Sequence, residues 1–413
     1  MDKLNILIVC EHASNVYGGE AMLPLNYFRL LSKDPNNQVY LITHARVKAS
    51  IEQLTDIKQD HVFYMPDTKL HQVLNKYSVL LPDRISILTF GFLMHLLTQF
   101  YQWKLARKIV KIKNINILHE PAPVSAVLPS VMFCLGVPVV IGPMNGGMTF
   151  PPAFNTMAGR FERVLYRLTR VLSTVFNILI PGKFFANILL VANQRTKDAL
   201  PKLRLGQVLE IVENGVFSVV DVPKKVQVKP ITDVLYVGRL VDWKAVDIAI
   251  DAINTCKSNV KLTILGDGQL KNELVQYAKK LAPNQIVFAG MVPHEKTNQY
   301  YDEADIFILP SIRECGGAVV LEAMSRGLPA IVTAWGGPAD YITNETGFLI
   351  EPKSRAFMIE QFALAIDRLA QQPNLRYEIG QAAINRVKQH FMWDKKIQNM
   401  MQVYHQAIGG KVE

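Results

Sequence analysis

Apolar residues along this chain gather in short runs separated by longer stretches with helical spacing. In the first half NILIVC (5–10), QVYLITH (38–44), INILHE (115–120) and VPVVIG (137–142) are compact β-rich runs. In the second half DVLYVGRL (233–240), VKLTILGDG (260–268), QIVFAG (285–290) and DIFILPS (305–311) repeat the pattern. Amphipathic patterns fill the intervals, the first from about Glu20 to Ser32. VVLEAMSRG (319–327) reads as a helix ending at Gly327, with a strand, PAIVT (329–333), after it. Strands alternating with helices predict an α/β protein whose parallel sheets are wound on both faces. The two halves meet near Gly215, and Pro223, Pro230 and a lysine-rich run make 215–232 a linker.

One stretch strains that picture. ISILTFGFLMHLLTQFYQW (85–103) holds no Asp, Glu, Lys or Arg, and a basic run from Lys104 to Lys113 follows it. Its length is compatible with a bilayer span, but Thr89, His95, Thr98, Gln99 and Gln102 dilute it. A core helix and a helix lying in the membrane interface fit the pattern better. In a second apolar stretch, 171–193, Pro181, Gly182 and Lys183 interrupt the run before a buried strand, NILLVAN (187–193).

Size and charge then narrow the class. With 413 residues, 49% of them hydrophobic, the chain can bury two sizeable cores. Net charge is +10. Residues 1–220 carry 23 Lys and Arg against 14 Asp and Glu, whereas the rest carries 22 against 21. A basic first half implies an anionic partner such as a membrane surface. Four scattered cysteines without a C-x-x-C pair argue against a disulfide framework or a zinc site, and for a reducing compartment. MDKLNILIVC runs straight into a strand, so a signal peptide is not expected and a cytoplasmic location is.

Candidate chemistry is densest at 308–342. Glu314 sits in a turn after a strand, beside the amides of Gly316, Gly317 and Ala318 at a helix start, and Glu322 lies two turns along that helix. A carboxylate beside amide donors suits a polyhydroxylated, anionic ligand such as a nucleotide sugar. In GRLVDWK (238–244), Arg239 and Lys244 follow a strand, as a leaving diphosphate requires of two cations. Gly18 and Gly19 lie in the first βα turn, where glycine lets backbone approach a phosphate or sugar. That turn is not G-x-G-x-x-G, which lowers the case for a nicotinamide dehydrogenase. His119 ends a strand before HEPAPVS (119–125) turns the chain, and at such a strand end it is expected to face an interdomain cleft. The chain has no D-x-D sequence and no metal-ligand spacing, so leaving-group stabilisation by cations without a metal is expected.

Taken together, VGRLVDWKAVDIAIDA, LGDG, FAG and the Glu-x7-Glu segment follow one another as in the retaining glycosyltransferases of family 4, which the chain resembles over its whole length and most strongly over 233–350. HEPAPVS resembles the phosphatidylinositol mannosyltransferase branch, and IGPMNGG followed by PPAF resembles enzymes that build exopolysaccharides and other surface glycans.

The resemblance implies a GT-B fold, two Rossmann-like doubly wound parallel-sheet domains facing across a cleft. Residues 1–215 would bind acceptor and 216–390 the donor, with a helix in 391–413 crossing back to the first domain. It implies that Arg239 and Lys244 hold the donor diphosphate. Glu314 would touch the sugar hydroxyls, the amides of Gly316, Gly317 and Ala318 sugar and phosphate, and Glu322 the ribose. His119 would contact the sugar, Gly18 and Gly19 the diphosphate on closure, and Met291 or Val292 the base. Two positions depart from the family pattern: the Cys315-Gly316 turn, and Ala245 in place of a common glycine. The expected activity is metal-independent, cofactor-free transfer from a UDP- or GDP-sugar to a lipid-linked or polysaccharide acceptor, with no nucleic-acid partner. A nucleotide-sugar epimerase and a non-catalytic carbohydrate-binding scaffold are the alternatives.

Overall fold

The computed structural model describes residues 3–15, 19–80, 86–157, 159, 173–224 and 229–409. The chain divides into two compact units. The first comprises residues 1–147, 161–213 and 396–413, and the second residues 148–160 and 214–395.

The first unit is built on a seven-stranded parallel sheet in the order β3-β2-β1-β4-β5-β6-β7. Its strands are β1 (Leu4–Val9), β2 (Asn37–His44), β3 (Val62–Met65), β4 (Ile117–Glu120), β5 (Val139–Met144), β6 (Ile188–Val191) and β7 (Gln207–Glu210). Central strands such as LNILIV are buried on nearly every residue, because helices cover both faces and no face is left for polar alternation. Leu7, Val9, Ile42, Leu118, Ile141 and Leu189 anchor one core layer against the helix Phe92–Ile112.

That helix packs into the core, one of the two readings its composition favoured. A π-turn, Ile87–Gly91, leads into Phe92–Ile112, and no helix among the described residues is long and apolar enough to cross a membrane. Its polar residues His95, Thr98, Gln99 and Gln102 are buried along with Ala106, Ile109 and Val110, while Leu93 and Phe100 are exposed. The reason lies in the loop it supports. Gln99 donates to Glu120 and accepts from the Val131 amide, and His95 bonds the Pro129 carbonyl. Part of the helix's polar face thus satisfies loop backbone, as a buried irregular segment requires.

The second unit holds a six-stranded parallel sheet in the order β10-β9-β8-β11-β12-β13. Its strands are β8 (Thr232–Val237), β9 (Val260–Leu265), β10 (Ile286–Gly290), β11 (Ile306–Leu309), β12 (Ala330–Thr333) and β13 (Gly347–Ile350). The final helix, Trp393–Ile408, starts in this unit, and from Lys396 onward it belongs to the first. Its Lys396 ammonium donates to the carbonyls of Val212 and Glu213, both at 2.5 Å.

The expected first domain, 1–215, was continuous. The structure differs at 148–160, which groups with the second unit. Side chains and backbone of this segment bond to the loops after β11 and β12, a long-range pairing that local pattern does not encode.

Candidate active site

In the second sheet β8 pairs with β9 on one side and with β11 on the other, through Ile306↔Val234 and Phe307↔Leu235. The strand order therefore reverses between β8 and β11. Connections leave that point in opposite directions and open a crevice at the carboxyl ends, where open α/β sheets bind ligands. Arg239 and Lys244 follow β8, and Glu314 follows β11. The topology brings them to the same edge across 70 residues of sequence.

The two loops are tied to each other. The Ile312 amide donates to the Trp243 carbonyl at 2.9 Å. Lys244 and Glu314 form an ion pair, with side chains 12% and 15% exposed. Arg239 is exposed, its guanidinium 6.0 Å from the centre of the Trp243 ring. Beneath it the Tyr236 hydroxyl donates to the Arg239 carbonyl at 3.3 Å. Burial first, and the Glu314 carboxylate second, push the Tyr236 hydroxyl pKa upward, so it remains a proton donor.

Glycine makes the Glu314 turn possible. Gly317 caps the helix Ala318–Ser325 in the left-handed region, φ +75°, where a side chain is strained. On the far side, Gly336 has φ +80° and so little room that a Cβ would collide with the Glu314 carbonyl oxygen. The Gly337 amide donates to that same oxygen at 3.0 Å. Glu314 is thus held at the positive end of a helix by backbone from two directions. Along that helix Glu322 accepts a hydrogen bond from the buried Tyr301 hydroxyl at 2.9 Å, which orients its carboxylate. At the same strand edge Ser311 and Thr333 bury hydroxyls that have no hydrogen-bond partner among the described residues. Met291 and Val292 follow β10 on this edge too, and Met291 is 79% exposed.

Ala245 explains itself once its backbone is seen. It has φ +51° and ψ +43°, left-handed, and is buried at the start of the helix Val246–Thr255. Left-handed geometry costs a non-glycine residue about 1 kcal/mol. Ala245→Gly is expected to raise the unfolding free energy by roughly 0.5–1 kcal/mol in denaturant titration, because the native conformation is one alanine resists.

The residues placed in the first unit fare differently. Gly18 lies outside the described residues. Gly19 opens the helix Gly19–Leu31, and the neighbouring Glu20 accepts from the Val124 amide at 3.2 Å. His119 does not offer a sugar contact. It is 0% exposed, its Nε2–H donates to the Gly142 carbonyl at 2.6 Å, and its Nδ1 accepts from Tyr404 at 2.7 Å. Burial lowers its pKa to about 4, opposed by the Gly142 bond. With both nitrogens engaged inside the unit, His119 is a core histidine that joins β4 to β5 and to the last helix. Its position at the strand end was read correctly, but its side chain turns into the core rather than out of it.

Among the described residues, His44, Asp67 and His71 approach closely enough to be tested as metal ligands. Their hydrogen bonds oppose it. Nδ1 of His44 accepts from the Arg46 amide, and Nδ1 of His71 accepts from the Thr68 amide, which leaves each ring proton on Nε2. Asp67 is paired with Arg46 at 2.8 Å. The Nε2 of His71 in turn lies 3.3 Å from the Thr98 hydroxyl, so these residues serve local hydrogen bonds.

Comparison with known proteins bears on the second unit directly. Residues 222–386 match the family model of the glycosyl transferases group 1. Arg239, Lys244, Glu314 and Glu322 fall inside that match. An uncharacterised glycosyltransferase of Methanocaldococcus jannaschii is 30% identical over 179 residues, covering 42% of this chain and 45% of the relative. A putative teichuronic acid biosynthesis glycosyltransferase of Bacillus subtilis is 30% identical over 172 residues, 42% of this chain and 41% of its own length. The matches thus span less than half of these relatives. Among solved structures, Anabaena HepE in complex with UDP-glucose superposes with a TM-score of 0.64 at 16% identity, covering 98% of this chain and 100% of that one. At that identity the likeness concerns fold alone, and the fold is GT-B: two Rossmann-like units, each on a parallel sheet.

Proposed function

We propose that this protein is a retaining glycosyltransferase of family 4 that moves a sugar from a nucleotide sugar, UDP- or GDP-linked, to a lipid-linked or polysaccharide acceptor. The observation that carries it is the meeting of Arg239, Lys244 and Glu314 at the β8–β11 switch point, inside the group 1 match. Arg239 and Lys244 supply fixed positive charge where a diphosphate gathers negative charge as the glycosidic bond breaks, so no metal is required for that step. Glu314, already paired with a lysine, serves as acceptor of sugar hydroxyl protons rather than as a nucleophile. Retention then proceeds by front-face attack, the acceptor hydroxyl passing its proton to a donor phosphate oxygen. Recovery of a covalent glycosyl adduct on Glu314 by mass spectrometry would overturn this route.

The donor is to be found by thermal-shift titration against UDP-, GDP- and ADP-sugars. A ligand of the folded state raises apparent stability by about 2.7 kcal/mol at 100 times its dissociation constant. Turnover of the bound sugar without any acceptor would favour an epimerase instead. No shift with any member of the panel would favour a scaffold.

The acceptor side of this reading includes a membrane surface. The helix Lys69–Ser78 exposes Leu70, Val73 and Tyr77 at i, i+3 and i+7, flanked by exposed Lys69 and Lys76, in the basic half of the chain. Flotation with anionic vesicles is expected to carry the protein to the top of the gradient, with neutral vesicles leaving it below. Equal behaviour with both removes the membrane from the proposal.

A further inference from the structure

The segment 148–157 arises in the first half of the sequence yet is part of the second unit. Three contacts seat it on the loops that shape the Glu314 turn. The Trp335 indole N–H donates to the Thr149 carbonyl at 2.8 Å. The Arg313 guanidinium lies 5.4 Å from the centre of the buried Phe150 ring. The Met148 methyl sits 2.9 Å from where a Cβ of Gly336 would be, so it closes the space beside the glycine that touches the Glu314 carbonyl.

Local chemistry stiffens the segment. Pro151 and Pro152 restrict its backbone, the Phe154 amide donates to the Pro151 carbonyl at 2.9 Å, and Pro152–Met157 closes into a 3₁₀ turn with Phe154 buried. Arg313 immediately precedes Glu314, and Trp335 immediately precedes Gly336. A rigid strap that holds both neighbours holds the turn between them.

We infer that Met148–Phe154 is a positioning strap for the Glu314 turn, and that Phe150 and Trp335 set which donor sugar the turn accepts. This rests on the glycosyltransferase reading. The chain's first half thereby contributes to sugar selection on the unit that holds the nucleotide. The effect is expected chiefly at the sugar end, because the contacts that seat the strap fall on the loops after β11 and β12.

The test uses the full-length protein and its Phe150→Ala, Phe150→Tyr and Trp335→Phe variants. Each is titrated with the nucleoside diphosphate alone and with the best donor sugar of that nucleotide. Phe150→Ala is expected to weaken nucleotide-sugar binding roughly tenfold while nucleoside diphosphate affinity changes less than about twofold, since a loosened turn misplaces one carboxylate by a fraction of an ångström. Trp335→Phe, which deletes only the indole donor, is expected to shift the ratio in the same direction by a smaller factor. Phe150→Tyr keeps the ring and is expected to restore the wild-type ratio.

Equal weakening of both ligands would show a merely structural role and overturn the strap. So would an unchanged ratio in both Phe150→Ala and Trp335→Phe. If the wild-type protein binds the nucleoside diphosphate but never distinguishes it from a nucleotide sugar, the strap fails alone. If it binds neither, the donor reading fails and the strap falls with it.

Discussion

Lys244→Ala is expected to lower the rate of sugar transfer roughly 100- to 1,000-fold, the range seen when one preorganised donor to a developing anion is deleted. The magnitude comes from two sources that the structure separates. In the proposed reaction Lys244 supplies positive charge for the leaving diphosphate, and in the structure it pairs with Glu314. Deleting it leaves the half-buried carboxylate without its partner, next to where phosphate must sit. The double variant Lys244→Ala/Glu314→Gln removes that unpaired charge. If repulsion is the larger part, the double variant regains donor affinity over the single one. If leaving-group stabilisation is the larger part, kcat stays low in both. Arg239→Ala, which disturbs no ion pair among the described residues, is expected to lower kcat with little change in folding stability. Unchanged turnover in Arg239→Ala and Lys244→Ala would remove the leaving-group assignment.

Acid is expected to weaken the first unit through His119. Its folded pKa of about 4 lies below the ordinary value of 6.5, so the unfolded chain takes up the proton first. The stability this group contributes is complete above pH 6.5 and is lost as pH falls toward 4, by about 3 kcal/mol in all. His44, whose pKa burial also lowers to about 4, works in the same direction. The buried Glu120 carboxyl works against them. Burial raises it to about 7, so its protonation favours the folded state as pH falls from 7 to its ordinary 4.5. The net profile of the protein is therefore a difference between opposing groups. Comparison with His119→Gln isolates the histidine: the wild-type stability advantage should shrink by about 3 kcal/mol between pH 7 and pH 4. A gap that is constant with pH would show that His119 is not held neutral.

Much of the second unit was legible in advance, and for a definite reason. Its strands and helices are bounded by glycine and by short apolar runs, so DVLYVGRL, DIFILPS and PAIVT announced β8, β11 and β12 to within a few residues. Glu314, Arg239 and Lys244 stand beside those strand ends, where a motif can point at chemistry without long-range information. The strands Val62–Met65, Gln207–Glu210 and Gly347–Ile350 are not marked by the pattern, being four-residue runs, all three at sheet edges and too short to show a period. The Tyr301 bond that orients Glu322 gave no local signal at all.

The sequence by itself determined the α/β alternation, the approximate seam between halves and the strand-end location of the donor-side residues. These depend on period, turn residues and charge within a few positions of each other. Tertiary structure decided which way His119 faces, that His95, Thr98, Gln99 and Gln102 of Phe92–Ile112 are buried while Leu93 and Phe100 are exposed, and that 148–160 groups with the second unit. Each of these turns on partners 20 to 285 residues away, such as Gln99 with Glu120, Trp335 with Thr149, and Tyr404 with His119. A hydrogen bond at that separation is chosen by the packing of whole elements, and no stretch of chain around either residue contains it.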